Sequence, residues 1–302
     1  ESVDTALKSV FRDKSVKLRA EEQFLVEAKY EKMDINEVVN NQQHLKENER
    51  TLLQDILKNF EDLFQGKIGV WPGEPIELKL KDPDMEPFNA KPYRVPHSVM
   101  KVFKQEIERL VELKVLKPNN TSLWATPLFG IPKKNDQIRL VTDFRKINEA
   151  IQRSPHPLPL IRDILDRIGQ FTWATALDLV MAYYCMGLLE KSKEILMIIV
   201  PWGKFSYQVL PMGVSVATDI FQERMSRILA DIECVIVYMD DIIIIGLGTL
   251  AEHLKGVEKV LIRLQEYGMQ VYPVKSSWAK DQLEYLGFTI FRSEIKPQQK
   301  KI

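Results

Sequence analysis

The stretch Val235-Ile236-Val237-Tyr238-Met239-Asp240-Asp241-Ile242-Ile243-Ile244-Ile245 is β-branched almost throughout, yet two adjacent carboxylates divide it. Each flank has the composition of a core strand. Burying even one unpaired carboxylate is costly, so the pair must be compensated. A hairpin turn could place both acids at a solvent-facing tip. A divalent cation held there by hard oxygen ligands is the other arrangement. A plain turn favours Asn-Gly or Asp-Gly, because its central residues often need positive φ. Asp-Asp is a poorer turn former, which tilts the reading toward metal.

A metal site for phosphoryl transfer needs a further acid from another strand. Asp178, in Thr175-Ala176-Leu177-Asp178-Leu179, is the candidate. Strand alternation puts it on one face with Ala174 and Ala176, small residues that leave room for an ion or substrate. The plain alternative is a satisfied turn or edge aspartate. Between Asp178 and the paired acids, Val216, Ile220, Phe221, Met225, Ile228, Leu229 and Ile232 lie on one stripe of a helix. The order is therefore strand acid, amphipathic helix, hairpin with paired acids.

Working outward, Leu52, Leu53, Ile56, Leu57, Phe60, Leu63 and Phe64 recur at helical spacing. Prolines at 72, 75, 83, 87, 92 and 96 then forbid a long helix and predict an extended segment. That segment is the expected boundary between an N-terminal extension, residues 1–90, and a core of residues 91–302. An amphipathic helix is expected over Val99 to Val111. A strand pair follows, Ala125 to Ile131 and Ile138 to Phe144, joined by the polar turn Lys133-Lys134-Asn135-Asp136. A short helix is expected at Leu160 to Ile168, and strands at Phe171 to Leu179 and Ile195 to Val200. A helix from Leu250 to Tyr267 and strands at Met269 to Tyr272 and Glu284 to Phe291 complete the reading. Helices against an antiparallel sheet make the class α+β.

With 302 residues, 45% hydrophobic and 28% charged, the chain can bury a core, which argues against a disordered, collagen-like or membrane-spanning protein. The longest apolar cluster, residues 235–245, is broken by its two acids and falls short of a spanning helix. Two cysteines, Cys185 and Cys234, make no disulfide framework and no zinc pattern, which suits a reducing, intracellular setting. The four histidines lack metal spacing, and no phosphate-binding loop is present. The sequence opens on Glu1 and reads as a piece of something longer. The formal net charge is +0, but it is unevenly spread. Residues 91–175 hold 15 Lys and Arg against 8 Asp and Glu, whereas residues 1–90 hold 13 against 19. A basic middle is either a footprint for phosphate or an unevenly solvated surface.

Seven motifs in register carry a resemblance. Tyr238-Met239-Asp240-Asp241 matches the Tyr-x-Asp-Asp signature of reverse transcriptases. With it stand Ala176-Leu177-Asp178-Leu179 and Tyr183, then Leu210-Pro211-Met212-Gly213 and Phe221-Gln222. Arg139 to Asn148 lies upstream; Lys275 and Glu284-Tyr285-Leu286-Gly287-Phe288 lie downstream. From about Lys91 to Ile302 the chain resembles the enzyme of gypsy-type (Metaviridae) long-terminal-repeat retrotransposons. The N-terminal part is similar, less specifically, to the linker between protease and polymerase in such polyproteins.

The resemblance implies a right-hand polymerase fold of fingers and palm, with an antiparallel palm sheet and the thumb absent from this chain. It implies RNA-directed DNA polymerase activity on an RNA or DNA template with primer and dNTPs. Asp178, Asp240 and Asp241 would be the metal ligands for two Mg²⁺ ions, with Mn²⁺ as the substitute. Lys133, Lys134, Arg139, Tyr183, Met212, Gly213 and Gln222 would meet the incoming nucleotide. Tyr183 in particular would underlie the deoxyribose as a steric gate. Tyr238, Met239, Lys275, Leu286 and Gly287 would meet the primer. Protease, ribonuclease H and integrase would be parts of the same polyprotein, located in the cytoplasm in virus-like particles, with no membrane partner. Ala182, Cys185 and Val180 depart from the usual pattern, as does Ser215-Val216-Ala217-Thr218-Asp219, which lacks the usual proline. The alternative reading is a catalytically silent nucleic-acid-binding or scaffold remnant; an RNA-templated RNA polymerase would more often carry Gly-Asp-Asp.

Overall fold

The structure is a computed structural model and describes residues 32–132, 138–286, 288–292 and 295–297. Helices α1 (Ile35–Asn40) and α2 (Glu47–Lys58) come first, followed by a 3-10 turn at Glu61–Phe64. The helical spacing from residue 52 to 64 thus spans a break at Asn59 and Phe60. The proline-rich stretch after it is extended and leads to α3 (His97–Glu112). Strands β1 (Leu116–Pro118), β2 (Thr126–Pro132) and β3 (Ile138–Thr142) follow, then α4 (Arg145–Ala150) and α5 (Ile161–Ile168). Next come β4 (Trp173–Asp178), α6 (Glu190–Ile195), β5 (Met197–Val200), β6 (Gly203–Tyr207) and α7 (Ser215–Ile228). Strands β7 (Val235–Tyr238) and β8 (Asp241–Gly246) form the central hairpin. Helix α8 (Leu250–Glu266) precedes β9 (Ser277–Lys280), β10 (Gln282–Tyr285), β11 (Phe288–Phe291) and β12 (Ile295–Pro297).

Among the described residues the strands form three sheets. One has the order β1-β6-β5-β2-β3, with a single parallel pair, β2 with β5. The second, β7-β8-β4-β9, is antiparallel throughout, and the third is the meander β10-β11-β12. The α+β class expected from the sequence is what the chain adopts. The single strand expected at Glu284 to Phe291 is instead the hairpin β10–β11. Met269 to Tyr272 forms no strand, only a bridge between Leu179 and Val271.

Strand alternation divides the central sheet into two faces. Leu177, Ile242, Ile244, Val235 and Val237 join the main core, which also holds Leu254, Val257 and Leu261 of α8. Ala174, Ile243 and Ile236 point the other way, into a smaller cluster with Ile164, Ile168, Leu283, Tyr285 and Ile290. Helix α8 and the meander therefore sandwich the sheet.

The core does not stop at residue 90. Leu53, Leu57, Leu63 and Phe64 belong to it, and Phe64 meets Trp278 edge to face. Residues 70–78 run as a strap along the segment after Tyr184. Trp71 N–H donates to the Cys185 carbonyl, Ile76 N–H to Gly187, and Leu78 N–H to Ser192 Oγ. Where the strap crosses the end of α8, Val70 N–H donates to the Gly268 carbonyl. The backbones approach so closely there that a Cβ on Gly268, at φ +63°, would collide with the Val70 carbonyl.

Candidate active site

The register of the central sheet brings the acids together. Asp178 ends β4 and pairs directly with Asp241, the first residue of β8, which pairs in turn with Tyr238 at the end of β7. Directly opposed residues of antiparallel strands share a face, so Tyr238, Asp241 and Asp178 form a row across three strands. Met239 and Asp240 are the two-residue tip. The turn is thus centred one residue earlier than a symmetric reading of Asp240-Asp241 suggests. Met239 has φ +56°, a left-handed conformation that a bulky residue adopts only where its surroundings impose it. Met181 and Leu286, at φ +43° and +49°, flank the same region.

Electrostatics sets these carboxylates apart from ordinary surface acids. Burial pushes the Asp178 carboxyl up, as does the charge of Asp240, while Lys275 pulls it down. Asp241 is exposed by area and is not among the cleft-lining residues, yet partial burial of its carboxyl, with the charges of Asp240 and Asp178, pushes it up to about 6. Mutually repelling carboxylates favour a cation between them. Among the described residues, no three His, Cys, Asp or Glu side chains are already drawn together as a metal cage. Even so, the donor set consists of hard carboxylate oxygens whose charges are incompletely compensated, and it fits Mg²⁺ or Mn²⁺.

A cleft of about 500 Å³ opens in front of the acids. Of the residues singled out from sequence, Arg139, Asp178, Tyr183, Met212, Gly213, Asp240 and Lys275 line it. Arg139 reaches it from β3, and Gly213 from a loop at φ +95°. Asn148, to which the sequence reading gave no role, ties that loop down: its amide donates to the Gly213 carbonyl and its Oδ1 accepts from Ser215 N–H. Tyr183 lies in a 3-10 turn, Ala182–Cys185, and is buried, with its ring 4.7 Å from that of Phe221. Burial pushes its hydroxyl up to about 12, although a hydrogen bond with Thr218 lowers it. Its ring serves both the core and the cleft wall.

Other candidates lie elsewhere. Gln222 is buried behind the hairpin and is not among the cleft-lining residues. Tyr238 and Leu286 pack against the smaller cluster beside the meander. Lys275, by contrast, lines the cleft and sits over the Tyr272 ring at 5.5 Å. Lys133, Lys134 and Gly287 lie outside the described residues. The sequence pattern does not reveal Tyr285: its hydroxyl has no hydrogen-bond partner among the described residues, and burial, then the charges of Asp241 and Tyr238, hold it strongly in the protonated form. It stood inside a quoted motif, but nothing in the one-dimensional pattern placed it next to Asp241.

Residues 131–290 match the family described as reverse transcriptase (RNA-dependent DNA polymerase). The retrovirus-related Pol polyprotein from transposon 412 of Drosophila melanogaster is 31% identical over 300 residues, covering 90% of this chain and 24% of the relative. The transposon Tf2-7 polyprotein of Schizosaccharomyces pombe is 28% identical over 257 residues, covering 83% of this chain and 19% of the relative. The chain thus spans about a quarter or less of these relatives. Among solved structures, the foamy viral protease-reverse transcriptase in complex with dsDNA superposes with TM-score 0.81 at 22% identity, over 93% of this chain and 58% of that one. Its complex with an RNA/DNA hybrid gives 0.79 at 20%, over 92% and 38%. These neighbours establish the right-hand fold of fingers and palm. With the family match covering more than half of its residues, the chain belongs to the reverse transcriptase (RNA-dependent DNA polymerase) family, in the company of long-terminal-repeat retrotransposon polyproteins.

Proposed function

We propose that this chain is the polymerase part of a retrotransposon polyprotein and extends a primer on an RNA or DNA template by adding dNTPs. The observation that carries the reading is the pairing of Asp178 with Asp241, with Asp240 at the adjoining tip, at the mouth of a cleft that also holds Arg139 and Tyr183. Asp178, Asp240 and Asp241 hold the divalent cations, two Mg²⁺ with Mn²⁺ as the substitute, which supply charge neutralisation at the attacking and leaving oxygens. Arg139, exposed at the rim, meets the triphosphate. Tyr183 lies under the sugar and excludes a 2′-hydroxyl by its ring. Met212 and Gly213 border the nucleotide, and Tyr238, Met239, Lys275 and Leu286 border the primer end. The 3′-oxygen attacks the α-phosphorus in line, its proton passes to solvent, and the bond to the bridging oxygen breaks to release pyrophosphate.

The basic stretch 91–175 suits a phosphate backbone, so template–primer affinity should fall steeply with salt. Protease, ribonuclease H and integrase parts of the same polyprotein are the expected partners, and the cytoplasm the expected location. Among the described residues no helix is long and apolar enough to cross a membrane. The deciding experiment is primer extension on a homopolymer RNA template with Mg²⁺. Incorporation that Asp240→Asn abolishes supports the enzyme. A folded chain that binds primer–template and adds nothing, with either metal, is the silent remnant.

A further inference from the structure

Gln222 does not sit where the family resemblance puts it. Its side chain is 1% exposed, on the face of α7 that lies against the edge strand β7. Oε1 accepts from Met239 N–H at 2.6 Å, while Nε2 donates to the Val237 carbonyl at 3.1 Å and to Ser226 Oγ at 3.0 Å. One amide group thus occupies the free edge of β7 as a neighbouring strand would. It also holds the backbone amide of the one tip residue with positive φ. Asp240 is the next residue, so rotation about the Met239 backbone swings that carboxylate relative to Asp178 and Asp241.

Resting on the metal reading above, we propose that Gln222 is a positioning residue that latches the hairpin tip in its left-handed shape and so presents Asp240 to a divalent cation. Two features separate this from mere packing. Three of its four bonding directions are used, two of them on the hairpin backbone, and the residue they fix is the conformationally disfavoured one. Without the latch, Met239 relaxes toward negative φ, and the acids no longer share one ion. The rest of the nucleotide cleft, which Gln222 does not line, keeps its shape.

The test uses the whole chain, with Mn²⁺ binding followed by electron paramagnetic resonance in the absence of nucleotide, alongside primer-extension kinetics. Gln222→Leu should weaken Mn²⁺ binding about tenfold or more, the scale seen when a group supporting a metal ligand is lost. It should lower kcat and leave KM for the dNTP within about twofold. Ser226→Ala, which spares both hairpin bonds, should bind Mn²⁺ as the parent does. Adding Met239→Gly to Gln222→Leu should recover part of the affinity, because glycine takes positive φ unaided. Gln222→Asn, too short to span Val237 and Met239, should act in the same direction and serves if the leucine variant does not fold. A folded Gln222 variant with parental Mn²⁺ affinity, or with only a raised KM, overturns the latch while Asp240→Asn still loses the ion. If Asp240→Asn binds Mn²⁺ like the parent, the metal reading falls and the latch with it.

Discussion

On one face of the central sheet, Asp178 and Asp241 stand side by side, and burial with the charge of Asp240 pushes both carboxyls up. On the other, Thr175, three residues earlier on the same strand, is completely closed in. Its hydroxyl accepts from Ala279 N–H at 3.1 Å and meets His253 Nε2 at 2.8 Å. His253, on α8, is buried and neutral, and burial alone pushes its imidazole down to about 4. The back face thus ties Thr175 and His253 Nε2 together within the protein and holds no charge, even though His253 Nδ1 has no hydrogen-bond partner among the described residues. The front face leaves charge over, and leftover charge in a cleft marks the place where something from outside completes the balance. Neighbouring positions of one six-residue strand serve both ends.

The largest effect should come from removing that leftover charge. Asp240→Asn should leave the fold intact and reduce primer extension to the assay background, because the lost charge is at a proposed metal ligand. Circular dichroism and a primer-extension time course check both halves. Activity near the parental level under Mg²⁺ would erase the distinction between the two faces.

Tyr183 stands on the border between them, part of the core yet lining the cleft. Tyr183→Val removes the ring while keeping an apolar residue. The preference for dNTP over rNTP, as a ratio of kcat/KM on one template, should fall by about tenfold, or roughly 1.4 kcal/mol of discrimination. Some overall rate will be lost with the Phe221 contact. An unchanged ratio in a folded, active variant assigns Tyr183 to the core alone.

How far the two faces were legible follows from what each needs. The hairpin and the Asp178 strand could be read because β-branched runs interrupted by acids have few solutions, and the alternation placing Asp178 with Ala174 and Ala176 is local. The exact turn was less legible. Met239-Asp240 forms the tip because Tyr238 pairs with Asp241, and this register depends on β4 beside it. Gln222, Asn148 and Tyr285 act through residues 15 or more positions away, which no periodicity encodes. The Thr175–His253 bond joins positions 78 residues apart, and a lone histidine in a helical stripe gives no sign of it. Short elements such as α4, α6 and β6 went unread because their few residues repeat no pattern, and tertiary contacts define them.

The closed face should show itself through acid sensitivity. The unfolded chain protonates His253 near its ordinary value of 6.5, whereas the folded chain does so only near 4. The folded state therefore has its full stability from this group above about pH 6.5 and loses it as pH falls toward 4, by up to about 3 kcal/mol. Urea midpoints between pH 7.5 and 4.5 should fall less steeply in His253→Gln, which keeps a hydrogen-bonding group for Thr175. Identical slopes would mean that the imidazole is protonated in the folded chain and that this face is not closed.

The open face should respond with the opposite sign and less strongly. The Asp241 carboxyl is pushed up to about 6, so between about pH 4 and 6 the folded chain holds a proton that the unfolded chain has released. Its contribution is therefore most favourable below about pH 4, declines as pH rises through 6, and stays at its least favourable at neutrality. Asparagine mimics the protonated acid. Asp241→Asn should raise Tm slightly at pH 7 without divalent metal and leave it unchanged near pH 4. Because Asp241 is solvent-exposed, screening keeps the gain below about 1 kcal/mol. Millimolar Mg²⁺ at pH 7 should narrow or reverse the difference, since an ion bound at the carboxylates stabilises the parent and not the variant. Differential scanning calorimetry of both proteins at the two pH values, with and without Mg²⁺, makes the comparison. A variant less stable than the parent at pH 7 without metal would show that the Asp241 charge is already compensated within the protein, and the front face would then be as closed as the back.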